Sequence, residues 1–298
     1  MAVSTVKATI NGQEYTLTLN ASTGKYEATI TAPNKSSFNN SGGYYDVTVT
    51  ATDDAGNTTT VNSSDSTLGT SLRLKVKEKV VPVITITAPT ASAYITNNKP
   101  TITWTVTDDD SGVNGDTISI KIDGGTAITS GITKTATTGG YTCSYTPTTA
   151  LGDGAHTITF NANDNDGNAA VQKTVTFTVD TIAPTLTLTS PADGSVVNSA
   201  TCTVAGTTND STSSPVTLTV NGAAVTVGAD GSFSKVITLN EGTNTITVVA
   251  KDAAGKTTTV TRTVTLDTGA PAFVSVTINP NPVDAGNTYV ISVEVTDA

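Results

Sequence analysis

The sequence predicts an all-β protein made of tandem antiparallel β-sandwiches. Apolar and polar residues alternate with period two in segments such as 102–106, 175–179 and 216–220, as expected for strands with one buried face. Turn-forming residues recur roughly every 8–12 residues, which is the spacing of short sandwich strands. No segment keeps the 3.6-residue period of an amphipathic helix. Tandem sandwiches are therefore the predicted architecture.

Composition limits both the number of domains and the kinds of partner. A chain of 298 residues has room for about three sandwiches of roughly 100 residues each. The formal net charge of −10 argues against nucleic acid as a partner, because phosphate binding needs clustered Lys and Arg. The sequence contains no run of 18 apolar residues, so no membrane insertion is predicted. Met1 is followed at once by the strand-like segment 6–10, so no signal peptide is seen.

Three sequence units recur along the chain. The first is an Asp-x-x-Gly hairpin at 53–56, 164–167 and 252–255, in which Asp can cap the turn and Gly can adopt positive φ. The second is an apolar strand that ends in Asn-Gly or Asp-Gly, at 11–12, 123–124 and 221–222. The third starts at a proline and ends at an aspartate 26 residues later, at 82–108, 184–210 and 271–297.

The order of these units defines the predicted domains. We letter sandwich strands A to G and assign the proline unit to A and B, the Asn-Gly unit to C, and the hairpin to F and G. Residues 80–181 and 182–268 then form two whole sandwiches. Residues 1–79 form a block that lacks strands A and B, and residues 269–298 supply strands A and B of a further sandwich.

The linkers and hairpins resemble those of a known family. The linkers Asp180-Thr181-Ile182-Ala183-Pro184 and Asp267-Thr268-Gly269-Ala270-Pro271, together with the Asp-x-x-Gly-Asn hairpins, resemble bacterial immunoglobulin-like (Big-type) repeats. The segments 26–33, 42–45 and 68–74 are similar to immunoglobulin-like proteins of Firmicutes phage tail regions. The resemblance implies tandem immunoglobulin-like sandwiches of a surface adhesin or a phage virion protein, with no shared catalytic residues to transfer.

Catalytic motifs are absent from the sequence, so we expect no enzyme activity. The single histidine, His156, has no Cys or Ser partner in a motif context and is expected to be structural. Cys143 and Cys202 fall in different repeats and are expected to be buried small hydrophobes rather than a disulfide. Trp104 alternates with Ile102 and Val106 and is expected in the core.

Aspartates form the one candidate binding constellation. Because the B–C and F–G loops share one pole of such a sandwich, the linker Asp180 should lie near Asp210 and Asp252. At the preceding junction, Asp108 with its neighbours Asp109 and Asp110 should meet Asp164 and Asp166. Oxygen-rich clusters suit calcium, so we expect a calcium site formed from these residues, although Asp is also simply a good turn residue. The six predicted ligands are Asp108, Asp164, Asp166, Asp180, Asp210 and Asp252.

The functional expectation is a non-enzymatic structural or adhesive protein, extracellular or part of a virion. The first hypothesis is a phage virion or filament component, in which strands A and B at the C-terminal end of one copy complete the N-terminal block of the next. The alternatives are a fragment of an exported adhesin and an accessory module of a carbohydrate-active enzyme. The expected partners are further copies of the chain, other virion or surface proteins, and cell-surface glycans.

Overall fold

The computed structural model describes residues 2–297, which form two compact units. One unit contains the residues up to 93 together with 97–178, and the other contains 94–96 together with the residues from 179 onward. Between residues 2 and 297 the only helices are two short 3-10 turns, Ser41–Gly43 and Gly69–Leu72. No helix in that range has the length and apolar character that a membrane crossing requires.

The N-terminal block forms one sheet in the order β3-β2-β1-β4-β5, with β6 paired to β4. Val6, Ala8 and Ile10 alternate along β1 and bury one face, and Tyr45 at the start of β4 is buried with them. The strands are β1 (Val3–Ile10), β2 (Gln13–Asn20), β3 (Lys25–Glu27), β4 (Tyr45–Asp53), β5 (Thr58–Val61) and β6 (Arg73–Leu74). In residues 2–79, no second sheet faces this one.

The next segment is a complete two-sheet sandwich. One sheet has the order β11-β12-β9-β7 and the other β10-β13-β14-β8. Trp104 on β9 packs edge-on against Phe160 on β13, with ring centroids 5.3 Å apart, so the two sheets meet through a buried aromatic pair. The strands are β7 (Val83–Ala88), β8 (Tyr94–Ile95), β9 (Ile102–Thr107), β10 (Val113–Ile122), β11 (Thr133–Thr137), β12 (Gly140–Tyr145), β13 (Gly154–Asp164) and β14 (Lys173–Val179).

The third segment repeats this plan with sheets β15-β17-β20 and β16-β22-β21-β18-β19. Its core includes Val204, Phe233, Ile246 and Val264, which come from both sheets. The strands are β15 (Thr185–Ser190), β16 (Ser195–Val197), β17 (Thr201–Asn209), β18 (Thr217–Val220), β19 (Ala223–Val225), β20 (Ser232–Thr238), β21 (Gly242–Lys251) and β22 (Thr257–Leu266). One short strand departs from the predicted antiparallel pattern, because β16 pairs parallel with β22.

The last two strands form a hairpin, which we call the C-terminal hairpin: β23 (Ala272–Asn279) and β24 (Val290–Thr296). They pair only with each other among the described residues. Every residue of both strands is exposed, including Phe273 and Val293. Its apolar side chains therefore have no sheet to pack against.

The fold class predicted from the sequence is confirmed, since the structure consists of successive β-sandwich sheets. Trp104, Cys143 and Cys202 are buried as predicted, and both cysteines are free thiols. The division into four domains at 79, 181 and 268 stays a prediction.

Candidate metal centres

The first acidic cluster consists of Glu78, Asp108 and Asp164, all buried. Glu78 lies in the segment before β7, Asp108 directly follows β9, and Asp164 is the last residue of β13. One carboxylate oxygen from each residue lies within 4.8 Å of the other two. The ends of two strands from opposite sheets thus meet a glutamate from the linker at one pole of the sandwich.

The second acidic cluster consists of Asp180, Asp210 and Asp252, which are buried in the same way. Asp180 lies in the segment before β15, Asp210 directly follows β17, and Asp252 directly follows β21. Their carboxylate oxygens also lie within 4.8 Å of one another. Each position in this cluster has its counterpart in the first, so the two sandwiches build the same arrangement.

Local turns use some of these oxygens. Asp108 Oδ1 accepts the backbone N–H groups of Asp110 and Gly112 at 3.1 and 2.9 Å. Asp210 Oδ1 accepts those of Thr212 and Ser213 at 2.8 and 2.7 Å. These bonds explain why an aspartate follows each B strand directly, because its carboxylate accepts the N–H groups of the turn.

The hairpin aspartates are held by the backbone four residues further on. Asp164 Oδ1 accepts the Asn168 N–H at 2.7 Å, and Asp252 Oδ1 accepts the Lys256 N–H at 2.8 Å. Asn168 also donates its side-chain amide to Asp164 Oδ2 at 2.6 Å, whereas Lys256 offers Asp252 no such amide. The second oxygen of Asp252 is therefore left buried without a hydrogen-bond partner.

The linker carboxylates bond to the neighbouring loop. Glu78 Oε1 accepts the backbone N–H of Ser111 at 2.7 Å, and Asp180 Oδ2 accepts the hydroxyl of Ser213. Burial raises the pKa of Glu78 above its usual value, and although the neighbouring Ser111 lowers it, the nearby Asp108 and Asp110 add to the rise. Each linker is thus bonded to the B–C loop of the sandwich that it enters.

Electrostatics make both clusters unfavourable when all three carboxylates are ionised. Two unit charges at 4.8 Å repel by about 3 kcal/mol at an effective dielectric constant of about 20. Between residues 2 and 297, the two salt bridges are Lys7–Glu14 and His156–Asp123, and neither includes a cluster carboxylate. Among residues 2–297, therefore, no salt bridge compensates the negative charge of either cluster.

The structure brings together five of the six predicted ligands, in the two clusters that the linker, B–C and F–G positions define. The sixth, Asp166, lies outside the first cluster, and its carboxylate accepts the backbone N–H of Glu78 at 3.0 Å. Asp109 is exposed, and the Asp110 carboxylate accepts the N–H of Ser36 at 3.0 and 3.1 Å. In the turn after β9, only Asp108 points into the cluster, whereas Asp109 faces solvent and Asp110 bonds the N-terminal block. Asp166, in the hairpin after β13, bonds the linker instead.

Glu78 was not predicted, although a sequence signal for it exists. It stands four residues before Pro82, as Asp180 does before Pro184 and Asp267 before Pro271. Its neighbours Lys77 and Lys79 make it look like part of a solvated run of charges. The regular distance to the proline, rather than the residue type, identifies the linker carboxylate.

The residues expected to be structural do form structural contacts. His156 Nδ1 lies 2.7 Å from Asp123 Oδ2, and its Nε2 lies 2.8 Å from the Gly152 carbonyl oxygen. Burial raises the pKa of the Cys143 thiol to about 11, so it is a poor nucleophile near neutral pH. Neither residue has the partner geometry of a nucleophile and its base.

Family models match both complete sandwiches. Residues 82–160 match the model of the bacterial Ig domain, and residues 184–268 match the model of glucodextranase domain B. Each match covers one sandwich and less than a third of the chain. Together with the two-sheet topology, the matches support immunoglobulin-like tandem repeats. Repeat domains of this kind are typically non-catalytic and typical of extracellular or surface proteins.

Two curated relatives match parts of this chain. Bacillopeptidase F of Bacillus subtilis (strain 168) is 40% identical over 109 residues, which is 37% of this chain and 7% of that protein. Chitinase ChiA of Flavobacterium johnsoniae is 30% identical over 169 residues, which is 51% of this chain and 10% of that protein. The matches therefore span a tenth or less of each relative.

Solved structures with similar folds are distant. The fibronectin(III)-like modules of Clostridium thermocellum CbhA align with 21% identity and a TM-score of 0.35, over 62% of this chain and 94% of theirs. A tetra-tandem repeat from the extending region of a large adhesion protein aligns with 20% identity and a TM-score of 0.33, over 98% and 79%. The titin domains I67–I69 align with 10% identity and a TM-score of 0.43, over 88% and 87%.

Proposed function

We propose that the chain is a non-enzymatic extracellular spacer that presents or separates other surfaces, as a component of a phage virion or of an extracellular filament. The observation that carries this proposal is the repetition of one sandwich with one linker design. The linker carboxylate precedes its proline by four residues in each repeat and, in both clusters, meets the ends of strands B and F. Such repetition gives each sandwich the same attachment to its linker, which suits a spacer better than a catalyst.

We further propose that copies of the chain assemble head to tail by strand complementation. In the two complete sandwiches, strands A and B belong to a sheet of four or three strands that packs on the sheet with strands C, F and G. The C-terminal hairpin is an A–B pair with exposed apolar faces, and the N-terminal block is a single sheet whose apolar residues Val6, Ala8 and Ile10 are already buried within the chain. The hairpin would therefore replace what covers this sheet in the single copy. Placing the hairpin of one copy on the block of another would bury side chains such as Val276, Ile291 and Val293. A heterologous contact of this kind propagates as a filament unless it closes into a ring.

Light scattering after size-exclusion chromatography tests the assembly. The wild-type chain should increase in mass with concentration, and Val293→Asp in the hairpin should keep it monomeric, because a charge cannot be buried there without a partner. Val236→Asp is the matched control, since Val236 is an exposed valine on β20. A wild-type chain that stays monomeric at every concentration, with an ordered N-terminal block, would show that another segment covers these faces.

The second candidate is a segment of an exported adhesin or of another long surface protein. The observation that favours it is that the matched regions fill only 7% and 10% of the two curated relatives, so repeats of this kind occur inside much longer chains. In that case a neighbouring repeat of the same polypeptide covers the hairpin. Electron microscopy of the purified chain distinguishes the candidates, because a filament component forms long polymers and an adhesin segment stays as single short particles.

The third candidate is an accessory module that binds carbohydrate. It is favoured by the match of residues 184–268 to a glucodextranase domain and by the relative named as a chitinase. Retention of the chain on insoluble chitin or on an α-glucan column, compared with a plain matrix, tests it. If the chain elutes from both carbohydrate matrices at the same volume as from the plain matrix, this candidate is wrong.

A further inference from the structure

We propose that each acidic cluster binds one divalent cation of the calcium class. Each site would take one ligand from the linker, one from the end of strand B and one from the F–G hairpin. Each site is complete within one copy of the chain, so the proposal does not depend on assembly into filaments. It goes beyond the spacer function by naming what holds each linker to its sandwich.

Buried carboxylate oxygens without partners point to a missing ligand. Glu78 Oε2 and Asp108 Oδ2 in the first cluster, and Asp252 Oδ2 in the second, are buried and have no hydrogen-bond partner. The exposed fractions of these three residues are 9%, 5% and 4%. Buried polar groups are rarely left unsatisfied, and a buried charge is normally paired or bound to a metal. A cation at the centre of each cluster would satisfy these oxygens.

Turn capping alone does not explain these side chains. The turns occupy Oδ1 of Asp108 and Oδ1 of Asp252 with backbone N–H groups. They leave the second oxygen of each residue buried next to two other carboxylates. A neutral asparagine would cap the same turns through its amide oxygen without the repulsion. Three carboxyl groups at these positions are therefore explained by a cation and not by the turns.

The hydroxyl groups beside the clusters fit the same ligand. Ser111 Oγ, in the B–C loop of the first site, is also buried without a partner. Ser213 occupies the same loop of the second site and donates its hydroxyl to Asp180. A serine oxygen in each loop adds a fourth protein donor of the oxygen type, which hard cations prefer.

The donor set favours Ca²⁺ over other common metals. Both clusters offer oxygen atoms alone, whereas zinc prefers nitrogen and sulfur ligands. Ca²⁺ takes six to eight oxygens at about 2.3–2.6 Å, so oxygens on opposite sides of the ion lie roughly 5 Å apart. Three oxygens within 4.8 Å of one another can therefore share one such ion. Mg²⁺ demands a tighter octahedron and keeps more of its water, so it should bind more weakly.

Isothermal titration of the chelator-treated chain with CaCl₂ tests the proposal. The wild type should bind two ions, Asp108→Asn should lose the first site, and Asp252→Asn should lose the second. Each lost site should weaken at least about tenfold, because mutating even the outer-shell partners of a metal site costs about 10–100-fold in affinity. Asp109→Asn is the matched control, because Asp109 adjoins Asp108 but is exposed and outside the cluster. It should keep both sites, and MgCl₂ should compete only weakly.

Thermal unfolding separates a cation site from a purely structural role. In chelator, Asp252→Asn should unfold at the same temperature as the wild type or higher, because it removes a buried repelling charge. In calcium, the wild type should gain stability and the double variant Asp108→Asn/Asp252→Asn should not. No heat of binding by the wild type at millimolar calcium would overturn the proposal. So would an Asp252→Asn variant that is less stable than the wild type by the same margin in chelator and in calcium.

Discussion

Strands β9 and β24 have nearly the same pattern but opposite surroundings. Both alternate apolar and polar residues, and both pair antiparallel with the A strand of their unit, β7 and β23. On β9, Ile102 and Val106 are fully buried. On β24, Ile291 and Val295 are 55% and 48% exposed. The difference comes from the second sheet, since β10, β13 and β14 face β9 and no sheet among residues 2–297 faces β24.

This comparison separates two kinds of information in a strand sequence. Alternation fixes which residues share a face and sets the register, because a shift by one residue would turn the apolar side chains outward. It does not say which surface covers that face. On β9 the covering surface is the opposite sheet, which Trp104 contacts edge-on through Phe160. On β24 no such surface is present among residues 2–297.

The largest difference should appear when one side chain is shortened on each strand. Trp104→Ala should lower the free energy of unfolding by about 3–5 kcal/mol, because it leaves a cavity between the two sheets. Val293→Ala should change it by less than about 1 kcal/mol in the monomer, because that side chain is exposed. Urea unfolding followed by circular dichroism measures both. Equal losses would mean that the C-terminal hairpin has a cover within the chain.

A smaller effect should follow from adding a methyl group to strand β17, which is the counterpart of β9 in the third segment. A Cβ on Gly206 would lie 2.1 Å from the Thr187 carbonyl oxygen and 3.0 Å from the Phe233 ring. Gly206→Ala should therefore cost about 1–3 kcal/mol of stability through overpacking.

The matched control is Gly152→Ala, because nothing lies within 4 Å of a Cβ at that position. It should leave the free energy of unfolding nearly unchanged in the same urea experiment. A tolerated Gly206→Ala would mean that β15 and β17 can separate, and that their close pairing contributes less than the geometry implies.

The sequence predicted the fold well because sandwich strands carry local signals. Period-two alternation and the Asp-x-x-Gly turns were enough to place Trp104, Cys143 and Cys202 in the core. The parallel pairing of β16 was missed, because a three-residue strand has too few positions to show its direction. The acidic clusters were partly predictable, since Asp210 and Asp252 sit at equivalent ends of repeated strands. Glu78 was not predicted, and Asp166 lies outside the first cluster, because side-chain direction in an irregular linker or a turn depends on contacts far apart in sequence.

The smallest expected effect concerns His156, which lies near the start of β13 in the sheet that faces β9, between two hydrogen-bond acceptors. Burial of the ring lowers its pKa, but the hydrogen bonds to the Gly152 carbonyl and to Asp123, with the charge of Asp123, raise it by more, so the pKa of His156 is raised overall. Both ring nitrogens face an oxygen, and only the protonated imidazole can donate to both.

A raised folded-state pKa means that the pair stabilises the fold most below the unfolded value of about 6.5, and that this contribution disappears as pH rises through the folded value. The urea midpoint of the wild type should therefore exceed that of His156→Gln by more at pH 5.5 than at pH 8.5. Asp123 is 46% exposed on its side chain, so the difference should be on the order of 1 kcal/mol or less. Asp123→Asn should flatten the pH dependence, because the charge that favours the imidazolium is gone. If the difference in urea midpoint between wild type and His156→Gln instead increases toward high pH, the neutral ring is the stabilising form. The contacts with Gly152 and Asp123 would then not favour the protonated imidazole.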